Sequence, residues 1–210
     1  MGSNVETSRN GEKRAIRYGM HFRPTKSLTL ALYQRDAHTG HHCDRVALLA
    51  EWMGRALKLS RPDMMILRLG GRFHDVGKIG IPDSVLLKES RFTDRDREII
   101  KTHSEKGEGI IRATGLAGAD RVAKAIRHHH ENHDGSGYPD GLRGDAIPFV
   151  SQIISIVDAY DAMRSVRPYR RAMSPDEVMS ILESESTWKF SPRVFERFRS
   201  IVNRMPASCA

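Results

Sequence analysis

The chain has 210 residues, 39% hydrophobic and 29% charged, with a formal charge of +8 at pH 7, which suits one soluble globular domain or one domain plus a tail. No apolar run reaches the roughly 18 residues of a membrane span, and the polar start is unlike a signal peptide, so a membrane protein is not expected. Cys43 and Cys209 lie too far apart in the chain to suggest a disulfide framework, and the expected compartment is the reducing cytoplasm. The basic balance favours an anionic partner, but aromatics are not interleaved with the basic residues, which argues against a dedicated nucleic-acid surface.

Residues 1–19 are polar and basic and read as a flexible tail, some of it a candidate cloning remnant, with Met20 a candidate natural start. The domain is then 20–210. Ser27 to Arg35 reads as a first helix, with Gly40 breaking the pattern. Val46, Leu49, Met53 and Leu57 then recur at helical spacing, and His42, four residues before Val46, shares that apolar face. A histidine there is either a hydrogen-bonded core residue or a ligand.

Pro62 fits the first turn of the next helix, whose buried stripe is Ile66, Leu69 and Phe73 and whose end delivers His74 and Asp75. Gly77 and Gly80 are expected to loosen the backbone around Lys78 before Ile81-Pro82 opens a new segment. Thr93 or Asp94 can cap the following helix, on which Ile99 and His103 share a face. Asp120 begins a helix with Val122, Ile126 and His129 on one stripe and His130 beside it. The stretch Glu131 to Gly141 is a Gly- and Pro-rich, exposed loop, and its Tyr138, held between Gly137 and Pro139, suits stacking on a ring, docking on a partner, or tucking into its own turn.

Pro148 reopens helix. On it Asp158 and Asp161 lie three apart amid apolar residues, where a carboxylate must be neutralised, paired or metal-bound; metal is favoured for Asp158 and a core hydrogen bond for Asp161. Arg167-Pro168-Tyr169-Arg170-Arg171 is a basic cluster, either a solvated turn or a phosphate clamp. Ser174-Pro175-Asp176-Glu177 starts a capped helix, and Ser191-Pro192 starts the last one, with Phe195, Phe198 and Val202 inward. No strand of clear alternation, internal repeat or Gly-rich nucleotide fingerprint is present.

All ten histidines fall at or before His133. The pocket candidates His42, His74, Asp75, His103, His129, His130 and Asp158 come from five helical segments that a helical bundle could bring to one point. Five imidazoles and two carboxylates suit first-row transition metals such as iron or manganese. A closed four-ligand zinc site would leave donors unused, and a shared carboxylate at Asp75 divides the set into two open sites.

From Arg35 to about Phe198 the sequence resembles the HD-GYP subgroup of the HD phosphohydrolases. The resemblance rests, in order, on His42, His74-Asp75 with Lys78, His103, His129-His130-Glu131, Asp134-Gly135-Ser136-Gly137-Tyr138-Pro139, Asp158 and the Arg167 to Arg170 cluster. It implies an all-α fold, a single helical bundle domain of the HD type, hydrolysis of cyclic di-GMP to linear pGpG or GMP, and a bridged binuclear centre, commonly of iron. By the same resemblance one metal takes His42, His74, Asp75 and Asp158, and the other Asp75, His103, His129 and His130. His38 stands where some members have a third-metal glutamate, so two metals are expected. His128 and His133 depart from the usual pattern, with either a tuning role or none.

In this reading Asp75 bridges the metals and Lys78 neutralises charge on the phosphoryl oxygens. Arg167 and Arg170 grip phosphate, while Gly137 and Tyr138 contact a guanine or a partner protein, and a homodimer is a further expectation. The alternatives are a cyclic-dinucleotide-binding or docking module of weak catalysis, and an HD hydrolase of another nucleotide.

Overall fold

The computed structural model describes residues 25–165 and 171–204, and no β-strand occurs among them. The expected 1–19 tail lies outside the described residues, as do Arg167, Pro168, Tyr169 and Arg170. Helix α1 occupies residues 25–35. It is followed by α2 (Ala37–Ala56), α3 (Arg61–Phe73), a 3-10 turn (Val76–Gly80), α4 (Asp83–Leu86), α5 (Asp94–Lys101), α6 (His103–Ala113) and α7 (Ala119–Arg127). A short 3-10 turn (Gly144–Ala146) leads into α8 (Phe149–Arg164), α9 (Pro175–Glu185), α10 (Pro192–Ile201) and a last 3-10 turn (Val202–Arg204).

Helix α8 is the centre of the bundle. Every residue from Val150 to Val157 is buried, and a helix apolar all round can only be stable with neighbours on all sides. Helices α2, α3, α7, α9 and α10 pack on it. They bring Val46, Leu49 and Met53, then Phe73, Ile126, Leu182 and Phe198, into one core with Ile153, Ile154 and Ile156. Each such fully buried aliphatic or aromatic side chain contributes roughly 1.5–3 kcal/mol of transfer free energy. The α3 stripe is wider than expected: Ile66 and Phe73 are buried and Leu69 is partly so, but Leu67 is completely covered as well.

Capping follows local chemistry. Ser60 accepts from the Asp63 N–H with Pro62 in the first turn of α3, and Thr93 with Asp96, like Ser174 with Glu177, forms a reciprocal capping box.

Three local expectations are corrected. The chain does not break at Gly40: the break is at Asp36, whose side chain caps α2 by accepting from the His38 N–H. Gly40 lies inside α2 because the Tyr33 ring of α1 crosses it, and a Cβ there would sit 2.8 Å from that ring. Gly77 does not loosen its segment either. The 3-10 turn packs on α6 so closely that a Cβ on Gly77 would lie 1.8 Å from the His103 carbonyl oxygen and 2.5 Å from the Gly107 nitrogen. Finally, Ile99 and His103 are not on one helix. The Thr102 hydroxyl donates to the Ile99 carbonyl at 2.7 Å, a side-chain bond that competes with the helical ladder, and α6 restarts at His103.

Candidate metal centre

The seven donors expected from the sequence meet at one place. His42 projects from the second turn of α2. His74 is the C-cap of α3, and Asp75 follows it into the 3-10 turn. His103 opens α6, His129 and His130 lie just beyond α7, and Asp158 is on α8. Three groups of donors close enough to hold an ion form there: His42, His74 and Asp75; His103, His129 and His130; and His74, His129 and Asp158.

The imidazoles are aimed. Nδ1 of His74 lies 2.9 Å from the Gly71 carbonyl, that of His103 2.6 Å from Ile100 and that of His129 2.5 Å from Ile126. A carbonyl oxygen only accepts, so each Nδ1 carries the proton and each Nε2 is left with a lone pair. His42 is fixed the same way by a carboxylate, Asp161, at 2.6 Å. The free Nε2 atoms then converge: His42 and His74 at 3.2 Å, His103 and His129 at 3.4 Å. Asp158 Oδ1 lies 2.9 Å from His42 Nε2.

Asp75 stands between the groups, with Oδ1 3.4 Å from His103 Nε2 and Oδ2 3.4 Å from His74 Nε2 and 3.9 Å from His42 Nε2. Lone pairs facing lone pairs and carboxylate oxygens are a donor set that cations satisfy, and outward-pointing Nδ1 donors are the usual support of metal-bound histidine. The residues therefore fit the metals that the sequence implies.

The electrostatics agree. Burial raises the Asp75 carboxyl, but Lys78, His74 and His103 outweigh it and hold the group well below the ordinary carboxylate range. For Asp158 burial is likewise outweighed, by the adjacent His42 and then His74, and the group stays anionic. Burial, then the charge of neighbouring imidazoles, pushes His129 well down and His130 to about 3, so both are neutral donors at pH 7. His42 and His74 are disfavoured as cations by burial, yet Asp158 and Asp161 for the first and Asp75 for the second draw them upward.

Lys78 Nζ lies 2.6 Å from Asp75 Oδ2, and this carboxylate outweighs burial to keep the ammonium charged. Tyr138 is half-buried and stacks on the His130 ring, centroids 4.8 Å apart, with Lys101 Nζ 5.6 Å from its ring centroid. Gly137 abuts its own loop: a Cβ would lie 2.3 Å from the Asn132 nitrogen and 2.5 Å from the His130 oxygen. The phosphate-gripping role expected of Arg167 and Arg170 falls outside the described residues. His38 is exposed and belongs to none of the donor groups among the described residues. His128 holds Asp140 at 2.8 Å.

Asp161 makes the core hydrogen bond expected of it. Its partner Arg45 was not singled out from the sequence, although it lies three residues past His42, near the same helix face. Glu131, known only as part of a motif, is buried and accepts from the Asp140 and Leu142 N–H groups at 2.8 and 3.0 Å. Cys43 is buried with Sγ 3.9 Å from His74 Nδ1.

An all-α domain whose five segments converge on a histidine- and aspartate-rich centre defines a class, and comparison with known proteins agrees. A family model for the HD domain matches residues 26–194, and the chain belongs to that family. Its curated relatives support the HD-GYP branch of the HD phosphohydrolases. The chain is 36% identical over 166 residues to the cyclic di-GMP phosphodiesterase response regulator RpfG of Xanthomonas campestris pv. campestris, aligning 79% of itself with 44% of that protein. It is 31% identical over 172 residues to 3′3′-cGAMP-specific phosphodiesterase 3 of Vibrio cholerae, with 82% and 37% aligned. The crystal structure of a cyclic GMP-AMP-specific phosphodiesterase of V. cholerae shares the fold, with a TM-score of 0.65 at 23% identity over 84% of this chain and 47% of that one. The chain spans less than half the length of the curated relatives it matches. Among the described residues no helix is long and apolar enough to cross a membrane.

Proposed function

We propose that this chain, through a domain at 20–210, is a metal-dependent phosphodiesterase that opens cyclic di-GMP to pGpG or GMP with two divalent transition-metal ions, iron or manganese, in the cytoplasm. The observation that carries this is the placing of Asp75, with one oxygen turned to His103 and the other to His42 and His74. His42, His74, Asp75 and Asp158 would hold one ion, and Asp75, His103, His129 and His130 the other. Such a pair acidifies water and stabilises charge on a transferring phosphoryl group.

The chain's own residues do the rest. The Nδ1 partners keep four imidazoles oriented. Lys78, charged and beside Asp75, faces the reacting phosphate and offsets its growing negative charge. Tyr138, stacked on His130, walls the second half of the centre and leaves its edge to a substrate base. Arg167 and Arg170, a few residues past Asp158, grip the phosphate that is not being cleaved. The names of the curated relatives support a cyclic dinucleotide as substrate, and 3′3′-cGAMP is the second reading because one relative is named as specific for it.

The deciding experiment is anaerobic purification, metal analysis, and a product assay with cyclic di-GMP, 3′3′-cGAMP and cyclic di-AMP in parallel. Two equivalents of metal and fastest turnover of cyclic di-GMP are expected. Faster turnover of 3′3′-cGAMP transfers the reading to that substrate. Full metal content with binding but no turnover of any of the three would make the domain a binding module instead.

A further inference from the structure

Three of the four oriented imidazoles are held by backbone, since His74, His103 and His129 each donate Nδ1–H to the carbonyl three residues earlier. His42 is the exception. Its ring is clasped between two carboxylates of one helix, with Asp158 Oδ1 2.9 Å from Nε2 and Asp161 Oδ2 2.6 Å from Nδ1. Positions three apart on α8 share a face, so one helix addresses both nitrogens of a ring carried by another.

Asp161 is itself held. Arg45 Nε donates to Oδ1 at 2.8 Å and Nη2 to Oδ2 at 2.9 Å, a two-toothed grip. Arg45 Nη2 also donates to Ser165 Oγ at 2.7 Å, and the Ser165 hydroxyl donates to Asp161 Oδ2 at 3.2 Å. Asp161 is buried, and Arg45 is the cation that balances it. Arg45 lies one turn past His42 on α2, so the clasp closes a ring: α2 backbone, His42, Asp161, Arg45 and back to α2.

We infer that Arg45 and Ser165 are positioning residues that act through Asp161 on His42, so that one half of the metal centre depends on a side-chain clasp and the other does not. The inference rests on the metal-centre reading above. A backbone carbonyl in a formed helix has no freedom to leave, whereas a carboxylate anchored by a guanidinium turns or shifts when the guanidinium goes. Loss of the clasp should therefore weaken the ion held by His42, His74 and Asp158 and leave the ion held by His103, His129 and His130 in place. Outer partners of ligating histidines are worth about ten- to a hundredfold in metal affinity.

The test is competition titration of the full chain with Mn²⁺ alone, on wild type, Arg45→Ala, Arg45→Lys, Ser165→Ala, His42→Ala and the Arg45→Ala/His42→Ala double variant, without substrate. Wild type should bind two ions. Arg45→Ala should keep one at wild-type affinity and bind the other about ten- to a hundredfold more weakly. Arg45→Lys should recover part of that loss, and Ser165→Ala should lose about two- to tenfold. Because Arg45 acts through His42, its removal should cost nothing further when His42 is already alanine.

Equal weakening of both ions, unchanged binding of both, or an undiminished Arg45 effect in the His42→Ala background would each overturn the inference while the two-metal reading stands. A wild type that binds no Mn²⁺ overturns both. If Arg45→Ala does not fold, Arg45→Lys and Ser165→Ala carry the same comparison.

Discussion

Replacing Gly77 by alanine tests how the centre is assembled without touching a ligand. The added Cβ would stand 1.8 Å from the His103 carbonyl oxygen and 2.5 Å from the Gly107 nitrogen, where real Cβ atoms come no closer than 3.0 Å. Both obstacles are backbone, so no side chain can swing aside. The turn and α6 must part by at least about 1.2 Å, an overpacking strain of about 1–3 kcal/mol. For a chain of this size that lowers Tm by roughly 2–12 °C.

The functional cost is larger, because Asp75 immediately precedes the turn and α6 begins with His103. Their 3.4 Å approach is the contact through which, in the proposed arrangement, one carboxylate would serve both halves of the centre. A misplacement of that size costs on the order of a hundredfold in turnover, with the ion on the His103 side released first. Thermal melting followed by circular dichroism, metal analysis and kcat on cyclic di-GMP measure the three effects. A Gly77→Ala protein with wild-type Tm and two full equivalents of metal would refute the claim that this backbone contact sets the spacing.

Asp75→Ala should lose both ions if each shares that carboxylate as proposed, whereas His103→Ala should spare the ion on the His42 side; two equivalents in Asp75→Ala by metal analysis would remove the bridge. Arg167→Ala and Arg170→Ala should each raise KM about ten- to a hundredfold with metal content constant if, as proposed, each supplies a charge-assisted phosphate contact that does not change along the reaction. Lys78→Ala should instead lower kcat, and steady-state kinetics at one fixed ionic strength separates the two patterns. Lys88, then the Thr93 backbone and hydroxyl, lowers Asp96 to about 2 from 3.8. The folded-state pKa is depressed, so the α5 cap is at full strength above pH 3.8 and is lost as the pH falls through about 2. In Asp96→Asn the decline of Tm between pH 5 and 2 should be shallower than in wild type, and parallel declines would contradict it.

The seven side chains that converge were legible as candidates because each lies on, or at the end of, an apolar stripe that a single helix displays. Helical spacing tied His42 to Val46 and His129 to Ile126, and the core did gather those stripes. Asp161 was legible for the same reason, as a carboxylate among isoleucines. What spacing within one helix does not contain is the partner across a crossing. Arg45 meets Asp161 116 residues away, and Gly77 meets His103 across a packing contact. Gly40 reads as a breaker until Tyr33 is seen lying across it. Thr102 ends α5 through a hydroxyl bond that propensity alone does not announce.

The loop from Glu131 to Gly141 separates the enzyme from the docking module most sharply. Here Glu131 takes two loop N–H groups, and Arg127 grips Asp140 with two bonds of 2.7 Å. The His133 and Asp134 N–H groups donate to the Lys189 and Trp188 carbonyls. Gly137 presses on the backbone of His130 to Asn132. Within this fastened loop the Tyr138 ring stacks on His130, which is grouped with His103 and His129. A loop fastened at four points around His130 fits a wall of the proposed site, and the side chains it leaves exposed, Asp134, Ser136 and Asp140, are polar rather than the apolar anchors by which a partner protein is held.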